Sequence, residues 1–252
     1  MSIFAISDLH LPGGTCKPMD VFGAHWAGHF ERICTDWRAR VQADDLVLLP
    51  GDLSWAMQME QALPDLYAIG ALPGRKVLLR GNHDYWWNGI GRVRAALPAG
   101  MFALQNDALR FGRHVLCGTR GWLCPGAQQF GAEDERIYRR EVQRLELSLQ
   151  QAVRRAEEGP EPGELLAMMH YPPFAEKETP TGFTALLEAF GVRTVVYGHL
   201  HGAALQSAFS GELRGTVYHQ VSCDGLHFAL KRIAGDETPR AEKSCGQRGK
   251  GL

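Results

Sequence analysis

Short apolar runs recur along the chain at residues 3–6, 46–49, 76–79, 114–117, 165–169 and 194–197. Each has strand length and is too short for a stable helix. Residues 216–221 and 227–232 read as two further strands joined by a turn at Cys223-Asp224-Gly225. Between the runs the apolar period lengthens to that of a helix. Val21, Phe22, Trp26, Phe30, Ile33, Trp37 and Val41 form one amphipathic face. A weaker helix is expected over 58–72, interrupted by Pro64, and another follows Asn82 towards Leu97. The clearest helix covers 132–158, with Ile137, Val142, Leu145, Leu149 and Val153 along one side. Its other face is crowded with Arg and Glu, including the i,i+4 pair Glu135 and Arg139, and reads as solvated. Gly159-Pro160-Glu161-Pro162-Gly163 then breaks the chain as a loop. Strands alternating with helices early, and adjacent strands late, predict an α/β layered fold with mixed sheets. Residues 1–234 are expected to form one domain. Residues 235–252, polar and rich in Gly and Lys, are expected to be a disordered tail.

The chemistry lies where those strands end. Asp8 and His10 follow the first, Gly51-Asp52 the second, Gly81-Asn82-His83-Asp84 the third. His170 follows the run at 165–169, and Gly198-His199-Leu200-His201 the run at 194–197. Ligands of α/β sheets bind at the C-terminal ends of strands, and packing alone gives no reason for five strands to end in metal-competent side chains. Residues two apart in an extended segment share a face. Asp8 with His10, and His199 with His201, are therefore expected to converge without special backbone contortion. The glycines before Asp52, Asn82 and His199 suit tight turns where backbone crowds the site.

Imidazole ligands suit Mn, Fe or Zn, whereas Mg and Ca prefer all-oxygen shells. Four histidines, two carboxylates and an amide therefore predict two divalent transition-metal ions. Two such ions leave the site net positive and attractive to an anionic substrate, although the whole chain carries a formal charge of only −1. That overall charge gives no general signal for nucleic acid or membrane. The 6 cysteines are scattered without a C-x-x-C pair, which argues against a disulfide framework or a thiolate zinc site. The chain opens directly on a strand without a basic, apolar leader, so a cytoplasmic location is expected.

Taken in order, Asp8-x-His10, Gly51-Asp52, Gly81-Asn82-His83-Asp84, His170 and Gly198-His199-x-His201 resemble the motif set of the calcineurin-like metallophosphoesterases. Residues 132–158 and Tyr85-Trp86-Trp87 look like those of a little-characterised bacterial phosphohydrolase branch of that family. The resemblance implies a four-layer α-β-β-α sandwich with two mixed β-sheets. It also implies Asp8, His10 and His201 on one ion, Asn82, His170 and His199 on the other, and Asp52 between them. A water shared by two divalent ions is a hydroxide near neutral pH and can attack phosphorus. The resemblance makes His83 a non-ligand group beside the leaving oxygen, able to protonate it as an imidazolium. Asp84 is then expected to orient His83 and favour its charged form.

Other residues carry plainer readings. His25 and His29, i,i+4 on the expected helix, lack the Glu of H-E-x-x-H and read as a packed or exposed pair. His114, His219 and His227 fall in strand-like segments and read as structural. Arg120 and Arg80 are candidates for holding substrate phosphate, with a fold-stabilising role equally open. Tyr85, Trp86 and Trp87 read as core packing at a helix start, and Tyr171-Pro172-Pro173-Phe174 as a stiff loop presenting His170. Loops 122–130 and 174–182 are expected to wall the pocket. The leading expectation is a phosphatase or phosphodiesterase acting on a small phosphorylated metabolite or nucleotide. A nuclease is the alternative, and a non-catalytic module on the same fold has no need of so complete a ligand set.

Overall fold

The computed structural model describes residues 1–14, 19–176 and 179–235. Strands β1 (Ile3–Ala5), β2 (Leu46–Pro50), β3 (Arg75–Leu79) and β4 (Met101–Ala103) run parallel in one sheet, with β11 (Lys231–Ala234) antiparallel against β1. A second sheet has the order β5 (Leu109–Phe111), β6 (His114–Thr119), β7 (Glu164–Met169), β8 (Thr194–Tyr197), β10 (Thr216–Gln220) and β9 (Gly211–Leu213). Its four central strands are parallel and its two edge strands antiparallel.

Strand parity assigns the buried apolar side chains of the strands to three layers. Ile3, Ala5, Leu46, Leu48, Val77 and Leu79 face Leu116, Leu166, Met168 and Val196 between the sheets. The alternate residues Phe4, Val47, Leu49 and Leu78 pack outward against α1 (His29–Arg40), α2 (Met59–Gly70) and α3 (Ile90–Ala96). On the far side Val115, Cys117, Ala167, Met169, Val195 and Tyr197 meet α4 (Ala132–Glu157) and α5 (Gly182–Ala189). The result is the expected four-layer α-β-β-α sandwich, and strands buried on both faces explain why their sequences are continuous apolar runs. No described helix is long and apolar enough to cross a membrane.

Several elements differ from the sequence expectation. The helix expected over 21–41 is two short 3-10 turns, Met19–Phe22 and Ala24–Trp26, followed by α1. The break is at Gly28, whose φ of 58° lies in the left-handed region that a continuous helix cannot pass through. Consequently His25 and His29 do not share a helix. Pro64 does not interrupt α2, because burial of Met59, Ala62, Leu66 and Ile69 outweighs one lost backbone hydrogen bond. The helix after Asn82 begins only at Ile90.

Residues 227–232 do not pair with 216–221. His227 and Phe228 have positive φ (54° and 63°) in a turn, and the chain crosses to the other sheet as β11. His227 is thus a turn residue, while His114 and His219 lie in β6 and β10. On α4 the buried residues are Tyr138, Glu141, Leu145, Ser148, Leu149 and Ala152, so one glutamate of the expected solvated face points inward. The tail expected at 235–252 lies outside the described residues save Gly235. Cys34, Cys117, Cys124 and Cys223 are buried free thiols, and burial pushes Cys117 up to about 12.

Trp37 on α1 is fully buried and donates its indole N–H to the Pro73 carbonyl at 2.8 Å. Trp37→Ala is expected to lower unfolding stability by about 3–5 kcal/mol, read as a shifted urea midpoint at constant m.

Candidate metal centre

The parallel strands of both sheets end on one rim, and the structure brings Asp8, His10, Asp52, Asn82, His170, His199 and His201 together there. His201 Nε2 lies 3.2 Å from Asp8 Oδ1, and His10 Nε2 lies 4.0 Å from the same oxygen. Asp52 Oδ2 stands between two imidazoles, 3.9 Å from His10 Nε2 and 3.4 Å from His170 Nε2. Asn82 Oδ1 lies 2.7 Å from His170 Nε2 and 3.1 Å from His199 Nδ1. Two donor groups emerge, Asp8-His10-His201 and Asp8-Asp52-His170, each with its ligand atoms within 4.8 Å of one another.

The backbone that delivers these groups is not the relaxed extended chain expected. Asp8, His10, Asp52 and His199 have φ of 62°, 46°, 53° and 72°. This left-handed region costs a non-glycine residue roughly 1–2 kcal/mol, and such residues persist where their surroundings over-determine them. Here the loops after β1 and β2 are laced together. The amides of Asp8, His10 and Leu11 donate to the carbonyls of Gly51, Asp52 and Leu53, and the His199 amide donates to Asp8 Oδ2 at 3.1 Å. Gly81 is required by close approach, since a Cβ there would overlap the Asp52 carboxylate.

Asp84 departs from its expected role. Its fully buried carboxylate accepts the amides of Asp52 (2.9 Å), Leu53 (2.9 Å), Ser54 (3.3 Å) and Gly81 (2.8 Å), and the indole N–H of Trp86 (3.0 Å). It makes no hydrogen bond or ion pair with His83. Its carboxylate ties together the loops after β2 and β3 and so fixes Asp52 and Asn82. Burial, with the neighbouring charge of Asp52, raises the Asp84 carboxyl to about 6 despite these amides. His83 is instead placed by its backbone, whose amide donates to Asp52 Oδ1 at 2.8 Å. The His83 ring packs 4.6 Å from Trp55 and 5.8 Å from His10.

Around the donors the electrostatics divide. Burial pulls His10 down to about 4, and burial with the charge of His170 pulls His199 down to about 3. Burial also opposes charge on His170, yet Asp52 and Asp8 hold it up at about 9. Burial opposes charge on His201 too, but Asp224 and Asp8 keep it near 10. Burial disfavours ionised Asp8, but His201 and its fellow imidazoles keep that carboxyl far below its ordinary range. Each charged histidine has one nitrogen fixed from outside. His170 Nδ1 donates to the Pro50 carbonyl at 3.0 Å, and His201 Nδ1 to Asp224 at 2.9 Å. That leaves Nε2 of both aimed inward, the orientation of a metal-binding histidine. The donor set therefore fits a pair of transition-metal ions, which would take the places of those two inward protons.

Sequence reasoning missed Asp224, Ser7 and the aromatic surround. Ser7 donates its hydroxyl to Asp8 Oδ2. Spacing could not single out Asp224, since any carboxylate can support a histidine and only the fold says which one is near. His10 stacks on Trp55 at 4.7 Å and His199 on Tyr171 at 3.8 Å between ring centroids. A cleft of about 320 Å³ opens beside His10, His83 and His201, walled by Met19, Phe22, Trp26 and Trp55. A second, of about 180 Å³, lies beside His199 and includes Trp122, Leu123, Cys124 and Ala127 from the expected wall loop. Trp86 and Trp87 are core residues, whereas Tyr85 is exposed and edge-on to His83. Arg80 and Arg120 are not among the converging donors; they line a separate small cavity on the same rim.

A sandwich whose strand ends gather imidazoles, carboxylates and an amide in this way offers a site that could hold divalent metal ions and activate water. Residues 1–203 match the model of the calcineurin-like phosphoesterases, and the chain belongs to that family. Solved structures are among the similar proteins. A protein of unknown function from Aquifex aeolicus is 12% identical, with 92% of this chain and 95% of that one covered and a TM-score of 0.49. Phosphopantetheinyl hydrolase from Mycobacterium tuberculosis is 14% identical, with 94% and 96% covered and a TM-score of 0.51. Comparison with curated proteins finds no match.

Two outcomes are expected. Asp84→Asn turns an acceptor into a donor facing backbone amides and should cost about 2–3 kcal/mol of stability, measurable by denaturant titration of the metal-free protein. His170 and His201 hold protons at pH 7 in that form, so Mn²⁺ uptake should release roughly one proton per ion. Apparent affinity should therefore rise between pH 6 and pH 8.5. Calorimetry in buffers of different ionisation enthalpy reads the proton count.

Proposed function

We propose that the protein hydrolyses a phosphomonoester or phosphodiester of a small metabolite or nucleotide at a centre of two divalent transition-metal ions, Mn, Fe or Zn. The observation that carries this reading is the position of Asp52. One carboxylate oxygen faces His10 on one side and His170 on the other, as a ligand shared by two ions must. Asp8, His10 and His201 would hold one ion, and Asn82, His170 and His199 the other. When bound, the pair supplies Lewis-acid polarisation of the phosphoryl group and activation of water for attack on phosphorus.

The remaining chemistry belongs to the chain. His83 lies outside the donor set and lines the cleft of about 320 Å³ together with His10 and His201. As an imidazolium it would donate a ring N–H proton to the oxygen that leaves as the phosphorus–oxygen bond breaks. Its backbone bond to Asp52 Oδ1 would hold it in register with the ligands whatever its charge. Trp55, packed against both His83 and His10, would exclude water from that side and strengthen the local electrostatics. The apolar walls of the cleft favour a compact organic leaving group over a polymer backbone, which supports a small substrate over nucleic acid.

The expected result with Mn²⁺-loaded protein is turnover of p-nitrophenyl phosphate, of its bis-ester, or of both, the ratio deciding between phosphatase and phosphodiesterase. Hydrolysis of neither ester, nor of any member of a nucleotide panel, would sink the reading. His83→Ala should keep its metal content, measured by elemental analysis, while turnover falls about 10²–10⁴-fold. Full activity in that variant would remove His83 from the mechanism.

A further inference from the structure

A cavity of about 60 Å³ that shares no lining residue with the aromatic cleft is lined in part by Arg80, Gln105, Asn106, Arg120, Glu141 and Arg144. Arg80 follows β3, Gln105 and Asn106 follow β4, Arg120 follows β6, and Glu141 and Arg144 come from α4. Three guanidinium groups thus share the cavity with one carboxylate, and that carboxylate is fully engaged. Glu141, 1% exposed, accepts the Thr119 hydroxyl at 2.7 Å, Arg144 Nη1 at 2.7 Å and Arg120 Nη2 at 3.3 Å, with Arg140 Nε 4.0 Å away. Arg80 has no hydrogen bond or ion pair among the described residues, and the Nε atoms of both Arg80 and Arg120 are buried without an acceptor.

A buried donor without a partner forfeits its hydration with no return, and two neighbouring cations raise that cost. Burial lowers the pKa of Arg120 against the opposing charge of Glu141, and the charge of Arg80 adds a smaller lowering. Tethering α4 to the sheet accounts for Arg120 and Arg144 through Glu141, but leaves Arg80 without a role. The cavity holds roughly four waters by volume, the scale of a single oxyanion. Gln105 uses its side-chain oxygen to accept the indole N–H of Trp87 at 2.9 Å, leaving its amide N–H groups as further donors.

The cavity also adjoins the donor residues. Arg80 stands two residues before Asn82, a span of at most roughly 7 Å of chain. The Arg120 carbonyl accepts the amides of His170 at 3.1 Å and Tyr171 at 2.9 Å. Guanidinium forks match the oxygens of a phosphate better than any other side chain.

We infer that this cavity is an anion subsite, in which Arg80, Arg120 and Arg144 hold a second phosphate of the substrate while the first lies at the metal-ligating residues. This rests on the phosphoester reading above and narrows it, because the substrate then carries two phosphates in proximity. A substrate with a single phosphate leaves Arg80 unpaired.

The test is a calorimetric titration of the full-length protein as purified, which requires no turnover and so stands whether or not hydrolysis is found. The probes are methylenediphosphonate, a non-hydrolysable pair of phosphates, and methylphosphonate, a single one. The diphosphonate should bind wild type at least about tenfold more tightly. Loss of that advantage in Arg80→Met or in Arg144→Met, with the variant's thermal transition intact, supports the subsite. Equal affinity of wild type for both probes overturns it, as does an advantage that survives in both variants.

Discussion

The carboxylate of Asp84 sits where the ends of β2 and β3 meet, receiving four backbone amides and an indole N–H. In water each of those donors would be satisfied separately. Buried here, they would be left unpaired without this one side chain, so the carboxylate sets the path of both loops at once. Asp52 and Asn82 lie on those loops. Through Asp52, whose oxygens meet the His83 amide and face two imidazoles, the constraint reaches the rest of the rim. The left-handed backbone at Asp8, His10, Asp52 and His199 is tolerated for the same reason. The loops are bonded to one another and cannot relax singly.

Above that framework the charges form a graded field. Two ionised carboxylates are enclosed by four imidazoles, of which His170 and His201 are held towards their charged form and His10 and His199 towards neutrality. Such an arrangement turns lone pairs and protons inward, where cations would exchange with those protons. The flanks have opposite character. Trp26, Trp55 and Phe22 present aromatic surface in one cavity, and in another Arg80, Arg120 and Arg144 present three positive charges against the single carboxylate of Glu141.

Much of this was legible along the chain because the relevant periods are local. Apolar runs of strand length located β1, β2, β3, β6, β7 and β8, and the polar residues just beyond them are the ones the fold gathers. The three-residue strands β4, β5 and β9 lack the longer apolar run that marks β1 at residues 3–6, and the sequence reading assigns no element to most of α5. The hairpin expected after β10 failed because parity reveals that a segment is extended, not which sheet edge it will join; β11 pairs with β1 at the far end of the chain. Glu141 was hidden in a run of charged residues, since a helical face crowded with Arg and Glu looks the same whether or not one position turns inward.

Side-chain chemistry and its order are properties of the chain, and they determined which residues can bind metal and that strand ends present them. Their supports were decided only by the tertiary structure: Asp84 beneath Asp52 rather than beside His83, Asp224 behind His201, Trp55 against His10, and Arg80 next to Arg120. Each of these pairings joins residues some tens of positions apart. Sequence spacing carries no record of such distances. They are set by how two sheets stack and by which loops the buried amides force together.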